Sequence, residues 1–175
     1  MVSLIVVFWM YVILFAIIGG MRGWAKELLV TFSVILALTF TTLLTNYLPF
    51  VFGLQKDNKP LYFWLCTIIL GLVVFFGYQT PNIARFAPKM TREKIQDIIL
   101  GVIIGAFNGY LIAGTIWLYL DHASYPFANI ISAPTGDIKQ IADAMLHYMA
   151  PKLLGIPGIY FAVVIAFIFV IVVFI

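Results

Sequence analysis

Five stretches of the chain run without a single Asp, Glu, Lys, Arg or His: residues 4–21, 28–54, 61–80, 98–120 and 156–175. Each is long enough to cross a hydrocarbon core of roughly 30 Å, which takes about 20 helical residues. The hydrophobicity is continuous rather than alternating, which disfavours the two-residue period of an outer-membrane barrel strand. The pattern predicts an all-α, polytopic transmembrane helical bundle with about five spanning helices.

A different period appears between the fourth and fifth stretches. From residue 138 onward, Ile138, Ile141, Ala142, Met145, Leu146 and Met149 fall on one helical face, with Asp137, Lys139, Gln140, Asp143 and His147 mainly elsewhere. Thr135-Gly136-Asp137 opens this helix and Pro151 closes it. At about three turns it is too short and too polar to cross. The expectation is a short interfacial amphipathic helix at about residues 135–150, lying along the membrane or acting as a lid over the bundle, with docking of a partner as the alternative. The chain thus divides into a four-helix membrane core with its interfacial helix, residues 1–155, and an additional C-terminal transmembrane helix, residues 156–175. Residues 55–60 read as a short polar turn built on Asn58 and Pro60, and Thr80-Pro81-Asn82 as a helix-ending signal.

Composition agrees: 64% of residues are hydrophobic and 10% charged, against about 25% charged in soluble domains. Mean hydropathy is +1.11. The first stretch lacks a preceding basic region and a small-residue cleavage pattern, so it is expected to remain as a span rather than act as a removed signal. Cys66 is the single cysteine, which rules out an intramolecular disulfide.

Charge then orients the bundle. Arg22 and Lys26, with Arg85, Lys89, Arg92 and Lys94, lie on one side, whereas Lys56, Lys59, Lys139 and Lys152 lie on the other. The excess on the first side predicts a cytoplasmic location for it, with the N-terminus outside and the C-terminus inside. The 81–97 link would set its basic cluster at the lipid headgroups, and Thr91-Arg92-Glu93-Lys94 could begin the fourth helix before it enters the membrane.

Within the fourth stretch, Gly101, Gly105 and Gly109 recur every four residues, with Ala113 one step further. That spacing puts them on one helix face, where small residues let another backbone approach closely in lipid. Asn108 lies beside this face, and an amide in lipid needs a partner, so a hydrogen bond to a neighbouring helix is expected. Thr31, Ser33, Thr39, Thr41, Thr42, Thr45 and Asn46 give the second helix a polar lining suited to packing.

Chemistry is sparse. His122 and His147 lie outside the apolar stretches and lack metal-pair spacing, and no nucleophile triad or phosphate-binding glycine loop can be assembled. No cofactor, metal, catalytic residue or nucleic acid is predicted, and no soluble substrate is identified. Expected partners are the lipid bilayer and other membrane-protein subunits or a second copy of the chain.

The segment Gly20-Met-Arg22-Gly23-Trp-Ala-Lys26-Glu27-Leu28, followed by Leu100-Gly101-x3-Gly105-Ala-Phe-Asn108-Gly109 and closing Leu118-x-Leu120-Asp121, resembles the colicin V production (CvpA) family of small bacterial inner-membrane proteins. The resemblance runs over roughly residues 4–149. Where the family often carries a second Arg-Gly on the fourth helix, this chain has Asn108-Gly109, and Gln96-Asp97 replaces an Asp-Arg before the Leu-Gly. The resemblance implies a bacterial inner-membrane protein linked to toxin export and envelope function, without catalysis. It also marks Gly20, Arg22, Gly23 and Glu27 as a junction motif, where an ion pair and a close turn would fix the first two helices. Apolar helices with small-residue stripes fit a helix-packing scaffold of that kind. They equally fit a small accessory subunit of a respiratory or photosynthetic complex, filling space, holding lipid or flanking a quinone path. A transporter or channel is disfavoured, because the five stretches hold no ionisable group.

Overall fold

The computed structural model describes residues 3–79, 94–127 and 130–174. In lipid every backbone polar group must be satisfied within its own segment, so apolar stretches of this length become helices and break only where the sequence forbids the next hydrogen bond. α1, Leu4–Arg22, and α2, Trp24–Tyr47, are separated by Gly23 alone, at φ 85° and ψ 156°. α2 stops at Leu48, and α3, Pro49–Asp57, follows directly. The uninterrupted helix expected over residues 28–54 is therefore two helices. Pro49 has no N–H to donate back and its ring pushes Leu48 out of the helical region, to φ −103° and ψ 109°. Hydropathy does not register this break, since both sides of it are apolar.

The turn expected at residues 55–60 shrinks to one residue. Asn58 follows α3 and caps α4, Lys59–Tyr78, its side-chain oxygen accepting from the Leu61 N–H at 3.2 Å. α5, Lys94–His122, is the longest helix at 29 residues. It is described from Lys94 onward; residues 85, 89 and 91–93, which hold the rest of the expected basic cluster and of the expected helix start, lie outside the described residues. α6, Asp137–His147, ends before Pro151, which instead sits in the first turn of a separate short helix, α7, Ala150–Leu153. α8 spans Gly158–Phe174. No strand occurs among the described residues. α1, α2, α4 and α5 are long and apolar enough to cross a membrane. α8, with 17 residues, rises about 25 Å and is the shorter fifth apolar helix.

The bundle is organised by α1 lying antiparallel on α5 and by α2 lying between α4, α5 and α8. Val30, Val34, Ala37 and Leu38 of α2 are buried against Leu70 and Val74 of α4, Leu111 and Ile112 of α5, and Ile159 of α8. α6 covers one end of the bundle: Ala142 and Leu146, with Met149 beyond it, pack on Phe8, Val12, Trp117 and Leu118. Its apolar stripe is used unevenly. Leu146 is buried and Met145 half-buried, whereas Ile138 and Ile141 are exposed. After α5 the chain turns back at Ser124 and Tyr125, and Tyr125 seals Phe63, Cys66 and Tyr119 from that end.

Candidate functional site

The helix contact between α1 and α5 is made of backbone. Gly19 touches Gly101 and Gly105 directly; a Cβ placed on Gly105 would lie 2.8 Å from the Gly19 Cα, and one on Gly109 would lie 3.0 Å from the Val12 Cα. Real side chains do not approach this closely, so these positions accept glycine alone at this spacing. Gly20 faces the Val102 side chain. Ala113, on the same stripe, is half-buried and lines an apolar cleft of about 420 Å³ with Phe8, Phe15 and Trp117. Gly114 is the position that lets the end-covering Met149 reach α5. Sequence reading overlooks Gly19 and Gly114. The Gly19-Gly20 doublet is a usable signal for close approach, whereas Gly114 lies off the four-residue period.

This proximity sets Asn108 of α5 beside Glu27 of α2, both without solvent exposure. Arg22 Nη1 donates to Glu27 Oε1 at 2.7 Å, and Asn108 Nδ2 donates to Glu27 Oε2 at 2.8 Å. The same amide nitrogen reaches the Glu27 backbone carbonyl at 2.9 Å, and Thr31 Oγ1 donates to Asn108 Oδ1 at 2.6 Å. Arg22 also donates through Nη2 to the Tyr78 carbonyl at 3.0 Å and lies 4.3 Å from the centre of the Tyr78 ring. That carbonyl belongs to the last turn of α4, where acceptors lack an intrahelical partner and a cation is favoured. One arginine thereby ties α1, α2 and α4 together, and Asn108 adds α5.

The electrostatics are those of a fully compensated buried carboxylate. Taking a carboxylate out of water costs several kcal/mol, offset only by an opposite charge in good geometry with the remaining lone pairs satisfied. Both Glu27 oxygens meet that condition. A second carboxylate completes the junction: Asp97 Oδ1 accepts from the Trp24 N–H at 3.1 Å, capping α2 from another helix. Negative charge at a helix N-terminus is stabilising, and the missing Cβ of Gly23 leaves room for it, since one there would lie 2.7 Å from Asp97 Oδ2. Gly23 also occupies a backbone region essentially closed to other residues.

The remaining polar residues of α2 divide by position. Ser33 and Thr39 bond back to the carbonyls of Leu29 and Ile35 on their own helix. Thr41 and Thr45 reach Tyr119 of α5 and Tyr62 of α4 near the opposite end. Among the described residues no group of three or more His, Cys, Asp or Glu could hold a metal ion. The network around Glu27 is built for holding helices in register, with its proton donors and acceptors facing one another.

Comparison with curated proteins and with solved structures gave no match. The family model described as colicin V production protein matches residues 4–135, a region that contains the whole α1–α5 bundle, its glycine contact and the Arg22, Glu27 and Asn108 network. This multi-pass membrane chain belongs to the colicin V production protein family.

Proposed function

We propose that the chain is a non-catalytic helix-packing scaffold of the bacterial inner membrane that serves toxin export or envelope function through contacts with other membrane proteins. The observation that carries this reading is the complete internal use of the Arg22–Glu27 ion pair, whose carboxylate is buried. Arg22, Glu27 and Asn108 are bonded to each other and to neighbouring helices rather than to a passage through the bundle. A translocation path needs ionisable or polar groups facing a water-filled route, whereas a scaffold needs a rigid interior and a wide apolar exterior. α4 and α8 supply that exterior with Trp64, Ile68, Leu72, Phe161, Ile165 and Ile168 exposed.

In this reading the Arg22 end of the bundle is cytoplasmic and the α6 end faces outward, with α6 to α8 appended to the family-matched region. The test is complementation of a deletion strain that secretes colicin V, combined with gentle detergent extraction. Wild-type chain should restore secretion and co-purify with components of the export or envelope machinery, and Arg22→Glu should lose both. Recovery as a stoichiometric member of a respiratory or photosynthetic complex would overturn the proposal, as would full secretion by Arg22→Glu. Reporter fusions near Asp57 and Lys94 test orientation; an external Lys94 end would reverse it.

A further inference from the structure

At the end of the bundle opposite Arg22, a cavity of about 240 Å³ opens between α2, α4, α5 and the start of α8. Its polar lining comes from Thr41, Thr42, Thr45, Asn46, Gln55, Tyr62, Tyr119 and His122. Thr41 and Tyr119 form the buried floor; Asn46 and His122 form the exposed rim. Each hydroxyl has one proton to give. Thr41 donates to the Leu38 carbonyl at 3.0 Å and Thr45 to the Thr41 carbonyl at 2.8 Å. The Tyr119 and Tyr62 hydroxyls lie 3.2 and 3.0 Å from those threonine oxygens and can donate to them. Both phenol oxygens keep a lone pair open to a further donor. The Asn46 amide gives one proton to the Thr42 carbonyl at 2.8 Å and keeps its second proton and its oxygen, and the Gln55 amide adds a donor and an acceptor.

A cavity presenting both acceptors and amide donors suits a ligand whose groups donate and accept, and neutral hydroxyls meet that better than a cation. The rim carries the reason: His122 lies within electrostatic reach of two lysines, Lys59 and Lys152, alongside Asp121. The cavity sits where α2 and α5 end and α4 and α8 begin, the level at which headgroups lie. Its apolar wall at Leu154 and Ile159 continues onto α8, whose outer face is exposed and apolar throughout.

We propose that this cavity binds a phosphoglycerol group, the headgroup of an anionic phospholipid, with the glycerol hydroxyls donating to Tyr62 and Tyr119 and the phosphate beside Lys59 and Lys152. The acyl chains run down α8. This site is independent of the Glu27 network and of any scaffold role.

The full chain is purified in detergent and exchanged into nanodiscs of equimolar phosphatidylglycerol, phosphatidic acid and phosphatidylcholine, and lipids retained after re-extraction are quantified by native mass spectrometry. Phosphatidylglycerol should be enriched about tenfold over phosphatidylcholine, and more than phosphatidic acid, which has the phosphate without the glycerol. Asn46→Leu, at an exposed position, and Thr45→Val, which preserves shape, should each cut the enrichment about fivefold, as expected for one lost hydrogen bond, with helical content unchanged. Equal retention of phosphatidic acid and phosphatidylglycerol would overturn the proposal, because the hydroxyls would then contribute nothing. Unchanged enrichment in the folded Asn46→Leu protein would also overturn it. Release of the lipid by millimolar glycerol phosphate would assign the cavity to a soluble phosphoglycerol compound instead.

Discussion

The Asn108 side-chain amide and the Glu27 carboxylate, 81 positions apart in the chain, meet at 2.8 Å in a place that neither shares with solvent. The amide supplies the donor that Arg22 cannot, because the guanidinium reaches only the other carboxylate oxygen. Asn108→Leu leaves Glu27 Oε2 unsatisfied in an apolar interior, a loss of about 2–3 kcal/mol for a hydrogen bond to a charged group. Unfolding in mild detergent, followed by circular dichroism, should show that loss; a change below about 0.5 kcal/mol would mean water or another donor replaces the amide.

Removing Arg22 is the harsher change. Arg22→Ala strands a buried charge and should cost about 3–5 kcal/mol, whereas the double variant Arg22→Leu with Glu27→Leu removes both charges and should recover much of it. Arg22→Lys should fall between, since a lysine cannot reach Glu27 and the Tyr78 carbonyl together as the guanidinium fork does. A double variant as unstable as Arg22→Ala would refute this account.

Glycines of the same helical bundle should behave in opposite ways. Gly105→Ala and Gly19→Ala place a methyl group against backbone and should separate α1 from α5. Gly71→Ala, with nothing within 4 Å of the added carbon, should be neutral or up to about 1 kcal/mol stabilising, from helix propensity alone. Cross-linking between cysteines introduced on the facing surfaces of α1 and α5 reads the separation directly.

Much of the helical framework is legible in the sequence because hydrocarbon leaves helices as the only open structure for uninterrupted apolar segments. The bend at Leu48 and Pro49 is less so, since hydropathy averages across it; the proline itself is the local signal. Glu27 illustrates a deeper limit. Charge segregation sets it in a connector between spans with Arg22 as a local partner, yet it is fully buried, because Asn108 of α5 closes over it from a part of the chain that no local window contains. The glycine ladder shows the converse: its spacing announces a close contact, but the partner surface at Gly19 is a tertiary fact.

Asn58→Ala should cost about 1 kcal/mol by removing the cap on the Leu61 N–H, measurable as a lowered unfolding midpoint. Its effect should be local, leaving cross-linking between α1 and α5 intact.

Tyr125, beyond the end of α5, gives a pH dependence. Burial raises its hydroxyl to about 12 from the ordinary 10. The folded state therefore holds the proton more tightly than the unfolded chain, and this contribution to stability is complete below pH 10 and lost as pH climbs towards 12. Tyr125→Phe should flatten the dependence of the unfolding midpoint on pH across that window, while losing the 3.2 Å bond from the Trp117 indole. An identical pH slope in the variant would rule out Tyr125 as its source.

Gly23 has a bearing on how the protein is made. A single residue with positive φ turns the chain back between α1 and α2, yet α1 packs chiefly on α5 rather than on α2. The glycines that receive α1 belong to a segment synthesised only after α2, α3 and α4. During biogenesis the first helix must therefore wait in the bilayer, its Gly19 surface facing lipid, until the ribosome has delivered α5. Premature pairing of that surface with a neighbouring chain is the hazard such a delay creates.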